Sequence, residues 1–563
     1  MKNTITYIIS LLLLAGCQSD KQAPGEQADY VWDDPEGNAR ASYVMFRNTF
    51  ELGDHPEGTL HLFADSRYHL LVNDVFIHFG PARFYPEAPE YDTYDLSHYL
   101  RKGKNTIAVK AMSNGMNTYQ LPLSKAGFIA WGSVSDEGGK KISLATPGNW
   151  KYRTVKGYES RAPKMSFATG PVEIYDANKD PRGWATAAYN DQAWKTPPRV
   201  VHQDHWGALK PRSIPHLTSQ EIEADKLLGA YRLEEGEQIY SFRVKAPDRT
   251  REAFNKNRRV FAYTYIYSPT EQTVPVGLWW GEHWLNGKGP LAGQGVKPGK
   301  PNRSDVLLEL KEGWNFFFIK YGIVWASWEF YMALPREAGL EISPDREPGS
   351  EYIFMTAGPF TEGERDQVHA LELPFEGPDD LPELSAGWIG QKRGQGADNP
   401  AMNVAWSYFD KPITVPSGED IVLPAGEPAA LVYDMGGKTL GRFFVEFHAD
   451  SGTTVDLVFA EDMEAGRPWI LKRAGIYAGI HYKAREGFNR MESFKPYGAR
   501  FLQVNIAGSE RPVTVKRTGM VSHIYPFRKP GSFSCSDPML HAIWELAWRT
   551  MRVCSEHSYT HPP

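Results

Sequence analysis

The chain has 563 residues, too many for one hydrophobic core, so three or four domains of roughly 100–200 residues each are expected. A net charge of −6, with Lys and Arg scattered along the sequence, excludes the electrostatic footprint of a nucleic-acid partner. Aromatic residues reach 13% and include 17 Trp, enough to pack several sandwich cores and still leave flat rings for sugars.

In chain order the first element is a targeting signal. Lys2 precedes an apolar stretch from Ile5 to Leu14, and Leu14-Ala15-Gly16-Cys17 then has the form of a bacterial lipoprotein signal cleaved before Cys17. The small residues admit the peptidase, and the Cys17 thiol takes the lipid. A stretch this short does not cross a bilayer, which needs about 20 apolar residues; acyl chains on Cys17 hold the mature protein instead. Residues 18–28, rich in Lys, Asp, Gly and Pro, read as a flexible tether. The expected location is the bacterial cell envelope, lipid-anchored at the outer membrane, with no other membrane contact.

Beyond the tether the pattern is strand, turn, strand. Thr59 to Phe63, Tyr68 to Val72, Thr106 to Ala111, Val260 to Ile266, Asn315 to Lys320, Phe443 to Phe447 and Thr454 to Phe459 alternate or run apolar between Gly, Asp, Asn and Pro. A weak internal repeat stands among them. Val72-Asn73-Asp74, Gly80-Pro81 and Leu100-Arg-Lys-Gly103-Lys-Asn105 before Thr106 to Lys110 are echoed by Leu285-Asn286-Gly287, Gly289-Pro290 and Leu310-Lys-Glu-Gly313-Trp-Asn315 before Phe316 to Lys320. Each copy has a tight hairpin turn that needs positive φ.

The last third carries Asp434-Met-Gly436, Leu440-Gly441-Arg442-Phe443, Gly452-Thr453, Glu461-Asp462, and Phe494-Lys-Pro496-Tyr-Gly498-Ala499-Arg500-Phe501. Then Ser536-Asp537-Pro538 caps a helix through Val553, with Leu540, Ile543, Trp544, Ala547 and Met551 on one face. Cys535 and Cys554 bracket that helix, too far apart for a disulfide, and are expected to be core thiols. No Cys or His cluster has zinc-ligand spacing; His557 and His561 lack a further ligand nearby in sequence. Nucleophile-elbow, phosphate-loop and zincin motifs are absent, and Glu461-Asp462 or Glu364 with Asp366 read as solvated turns.

The two repeat copies resemble the galactose-binding-like jelly roll that accompanies many glycoside hydrolases, the first through Val72-Asn73-Asp74, Tyr91-Asp92, Tyr94-Asp95-Leu96 and Leu100 to Val109. Asp74 stands where Gly is usual. The ordered motifs of the last third resemble the β-sandwich preceding the catalytic domain of bacterial α-L-rhamnosidases of glycoside hydrolase family 78. Gly498-Ala499-Arg500-Phe501 replaces the family's Gly-Phe-Arg-Tyr, which points to a divergent branch.

The resemblance implies a mainly β protein of consecutive sandwich or jelly-roll domains, followed by the first helix of an α/α barrel. The expected limits are 29–215 and 217–348 for the jelly rolls, 349–400 for a linker, 401–528 for the third sandwich and 529–563 for the start of a truncated barrel. Thr560-His561-Pro562 takes the place of the family's Asp-Cys-Pro, which opens the acidic catalytic region. Inverting hydrolysis needs two carboxyl groups about 6.5–9.5 Å apart. Both would belong to the barrel, so no residue here is assigned a catalytic role and the chain as written is expected to be inactive.

A jelly roll that binds glycan would do so in the loop Phe79 to Tyr94. There Arg83 forks to hydroxyls, Tyr85 and Tyr91 face a sugar ring, and Asp92 accepts from hydroxyls or a calcium ion. In the second copy Trp279, Trp280 and Trp284 are the densest aromatic cluster, with at least one in the core. No cofactor is required, calcium being an optional occupant, and the expected partner is a rhamnose-containing oligo- or polysaccharide. The alternative is a surface glycan-binding lipoprotein without catalysis.

Overall fold

The computed structural model describes residues 28–160, 162, 164–165, 169–233, 238–245, 258–278, 281–292, 304–323, 327–358, 360, 364, 375–380, 387–392, 411–415, 420–464, 467–468, 479–528 and 531–558. All seven strand segments expected from sequence lie inside observed strands. In the first domain Ser42–Leu52 pairs antiparallel along its whole length with Gly103–Ser113. Arg67–Val72, Val75–Gly80 and Lys151–Thr154 complete that sheet, and a second sheet of five strands centres on Glu57–Asp65. Apolar residues on the facing sides meet between the layers, burying Trp32, Phe46, Phe63, Phe128 and Trp150.

The repeat is a hydrogen-bonding device. In the first copy the Asn73 amide donates to Asn105 Oδ1 at 2.8 Å, and Thr106 N–H donates to Asn73 Oδ1 at 3.0 Å. In the second copy Asn286 and Phe316 make the same bonds, both at 2.9 Å. Asn105 and Asn315 each receive a backbone N–H and donate to two carbonyls, stapling the turn that Gly103 and Gly313 close at φ 92° and 90°. A third copy stands unexpectedly at Arg485-Glu-Gly487-Phe-Asn489, where Gly487 has φ 82° and Asn489 makes the same three bonds. Asn315→Ala is expected to cost ~2–3 kcal/mol by stranding these buried groups, read as a lower urea midpoint for the second domain.

The second domain faces a four-stranded sheet with a six-stranded one, and its limits differ from those expected. Tyr352–Ala357 and Ile389–Lys392, which fall within the expected linker 349–400, are strands of its larger sheet. At the other end Glu221–Glu223 and Lys226–Arg232 pair with Val513–Ser522 and Ala429–Ala449 of the third domain. The second sandwich is therefore inserted between strands of the third. Ile174–Asp176, within the expected first domain, likewise extends the third domain's sheet by pairing parallel with Gly479–Lys483.

The third sandwich is organised by the 21-residue strand Ala429–Ala449. Its register shifts between Asp434 and Thr439, where Gly436 sits at φ 75°. Both halves pair with different partners, so one chain segment serves two layers. Asp434 fixes this corner by accepting from Gly436 N–H at 2.9 Å and from Arg500 through both oxygens, at 3.1 and 3.0 Å. The sequence motifs Asp-x-Gly and Gly-Ala-Arg-Phe are thus two halves of one contact.

Helix α1 (Pro538–Val553) is the one α-helix whose full span is described. Asp537 caps it by accepting from Met539 N–H at 2.8 Å. None of its side chains is buried, and Leu540, Ile543, Trp544 and Leu546 are exposed. Cys535 is also exposed and Cys554 half-buried, neither in a disulfide, so they are not the core thiols expected, as no other described element packs over this segment.

Candidate functional site

The residues nominated for sugar in the first jelly roll are mostly engaged elsewhere. Asp92 is fully buried, taking the Tyr68 hydroxyl on one oxygen and the Arg212 guanidinium on the other. Both oxygens are engaged inside the protein, and burial keeps them from a glycan at the surface. Gly80 approaches so closely that a side chain there would collide with Tyr68 and Asp92. Tyr91 is buried edge-on against Trp131, and Arg83 forms an ion pair with Glu556. Only Tyr85, 68% exposed, stays available. Trp284 is core, packed against Phe318, whereas Trp279 and Trp280 lie outside the described residues, as does Cys17.

A cleft of about 890 Å³ opens between the first and third sandwiches, and sequence reasoning missed it because its walls come from segments scattered between Met45 and Val521. Phe76, Tyr158, Tyr175, Tyr482 and Phe488 line it together with Lys110, Arg182, Arg485 and Arg490. Tyr158 stacks on Tyr43 at 3.8 Å, and Phe494 on His69 at 4.1 Å, so the floor is rigid. Glu173 ties the floor together by accepting from Phe494 N–H (2.6 Å), Lys495 N–H (3.0 Å) and the Tyr497 hydroxyl (2.9 Å). Burial brings the nearby Lys495 ammonium down to about 8, with Glu173 opposing.

Two further carboxylates of the cleft are paired, while burial raises the carboxyl of a third, Asp74. Glu492 takes Arg442 at 3.1 Å and Arg490 at 2.9 Å, and Glu221 takes Arg490 and Arg517, each at 2.8 Å. Burial lowers Arg442, the Glu492 charge opposing, and its guanidinium lies 4.5 Å over the Phe76 ring. Aromatic walls with cationic donors suit binding of a polar ligand.

The second feature is the junction behind α1. A crevice of about 560 Å³ runs between the helix residues Leu546, Arg549, Thr550 and Val553 and the third sandwich at Lys438, Phe459, Tyr497 and Arg500. Where the helix ends, Glu556 turns inward to Arg83 of the first domain and faces His523 of the third, with His557 beside it. Burial alone would raise the Glu556 carboxyl, but Arg83 and the two imidazoles hold it well below the usual range. This corrects the reading of His557 as lacking companions, since His523 and Glu556 complete a three-residue group that sequence spacing did not reveal.

The sequence profile of the α-L-rhamnosidase N-terminal domain matches residues 74–216, and that of the bacterial α-L-rhamnosidase concanavalin-like domain matches residues 425–523. Among solved structures, the family-78 rhamnosidase of Bacillus sp. GL1 is similar with a TM-score of 0.79 at 23% identity, over 96% of this chain and 59% of that one. The α-L-rhamnosidase of Aspergillus terreus gives 0.44 at 14% identity, over 95% and 41%. No curated protein sequence matches the chain.

Proposed function

We propose that this chain, which carries the N-terminal and concanavalin-like domains of a bacterial α-L-rhamnosidase of glycoside hydrolase family 78, is the accessory scaffold of an enzyme that removes rhamnose from polysaccharide. The chain spans 59% of the length of the Bacillus rhamnosidase. The observation that carries the reading is the succession of the two family domains and a capped helix, α1, which lies on the concanavalin-like sandwich with its apolar face uncovered. An uncovered face of this kind is a docking platform for further helices.

On this reading the general acid and base lie outside the three sandwiches. One carboxyl must be protonated and the other ionised, with room for water between them; Glu221 and Glu492 are instead paired with arginines, and Glu173 is held by backbone N–H groups and the Tyr497 hydroxyl. Lipidation at Cys17 would hold the enzyme at the cell envelope, against its carbohydrate substrate. The test is rhamnose release from an aryl α-L-rhamnoside by residues 18–563. None is expected, and release would overturn the assignment of both carboxyl groups.

The cleft between the first and third sandwiches favours a second reading, a glycan-binding lipoprotein without catalysis. Affinity electrophoresis in rhamnose-containing polysaccharide separates the two. Strong retardation of residues 18–563, with no hydrolysis by any longer product of the same gene, is expected only of the binding module.

A further inference from the structure

We propose that His523, Glu556 and His557 bind one divalent transition-metal ion of the zinc class at the seam where the first sandwich, the third sandwich and the end of α1 meet. The ligand atoms of the three residues lie within 4.8 Å of one another. His523 Nε2 is 3.2 Å from Glu556 Oε1, and His557 Nδ1 is 4.0 Å from the same oxygen. Bonds of about 2.0–2.1 Å at tetrahedral angles place neighbouring ligand atoms about 3.3 Å apart, so the first separation already fits and the second needs a small rotation of the His557 ring.

The polar bookkeeping points the same way. Among the described residues, His523 Nε2, Glu556 Oε1 and both ring nitrogens of His557 have no hydrogen-bond partner, and each side chain is at most 3% exposed. His523 and Glu556 face each other at hydrogen-bonding distance without hydrogen-bonding alignment. Buried polar atoms in this condition are costly, and a shared cation is one way to satisfy all of them. The His523 and His557 rings stand 5.6 Å apart at 81°, His523 packed edge-on against Phe79, so packing holds that ring's direction.

Arg83 occupies the other carboxylate oxygen, Oε2. It therefore acts as an outer partner that orients Glu556 and leaves Oε1 turned to the histidines, as outer partners of metal-bound carboxylates do. Its positive charge, and that of Arg67 nearby, weakens cation binding relative to a site without them. Burial lowers both imidazoles, His557 well below its ordinary value, with the Glu556 charge opposing in each case. Two imidazoles and one carboxylate select zinc or cobalt over calcium or magnesium, which prefer all-oxygen sets.

The whole chain, stripped with a chelator, would be titrated with cobalt(II), whose visible ligand-field bands report low coordination number with nitrogen ligands. One cobalt per chain is expected, displaced by zinc and not by calcium. Glu556→Gln and His557→Asn should each weaken binding at least about tenfold, while His55→Ala, on an exposed distant histidine, leaves it unchanged. Because a variant at this buried seam can misfold, zinc is also tested on the unsubstituted chain, where it should raise the melting temperature. A folded chain that takes up no cobalt or zinc, or a cobalt spectrum indifferent to both substitutions, overturns the proposal and leaves the three groups as an ion network alone.

Discussion

Replacing Arg83 by Met is expected to cost ~3–5 kcal/mol, because removing one partner of a buried ion pair leaves the other charge stranded. The Arg83 and Glu556 side chains are 13% and 3% exposed, so water screens neither well. They belong to the first domain and to the segment after α1, so the pair ties together parts of the chain more than 400 residues apart. Urea melting of chelator-treated protein, followed by tryptophan fluorescence, should show the loss. Limited proteolysis should show the segment around α1 cut first. The double variant Arg83→Met/Glu556→Leu should recover most of the stability, since removing both charges also removes their desolvation cost. Equal losses in the single and double variants would mean that the pair contributes through packing alone.

The parts of this architecture legible in the sequence are those set by neighbours in the chain. Gly103 and Asn105, or Gly313 and Asn315, announce a turn because the glycine supplies positive φ and the asparagine satisfies carbonyls two and four residues back. Asp537-Pro538 announces a helix start for equally local reasons. The same signal at Gly487 and Asn489 was available and passed unused, as no hairpin repeat accompanied it.

What escaped was set by distant partners. Tyr352–Ala357 is a strand because Phe261 to Tyr263 offers it an edge, whatever its flanking prolines imply. Glu221 to Arg232 belongs to the third sandwich because its partners come some 200–300 residues later, beyond any periodicity argument. Arg83, Tyr91 and Asp92 have the composition of a sugar site, but composition does not say which way a side chain points. Two of the three point into protein, and the third reaches Glu556.

Asp92→Ala separates those two roles most sharply. Were Asp92 a sugar ligand, the substitution would weaken glycan affinity and leave the fold intact. Its position predicts the reverse. Asp92 and Arg212 form an ion pair with side chains 0% and 6% exposed, and among the described residues neither terminal nitrogen of Arg212 has a hydrogen-bond partner. Alanine would leave that cation buried and unmatched, and would deprive the Tyr68 hydroxyl, itself 2.7 Å from the Tyr94 hydroxyl, of its acceptor. The expected cost is again ~3–5 kcal/mol, seen as an early first-domain transition in urea, with retention on rhamnose-containing polysaccharide unchanged below that transition. Asp92→Asn should fall between wild type and alanine, because the amide oxygen can still accept one bond while the charge is lost. A variant that melts like wild type but no longer binds glycan would return Asp92 to the ligand side of the loop.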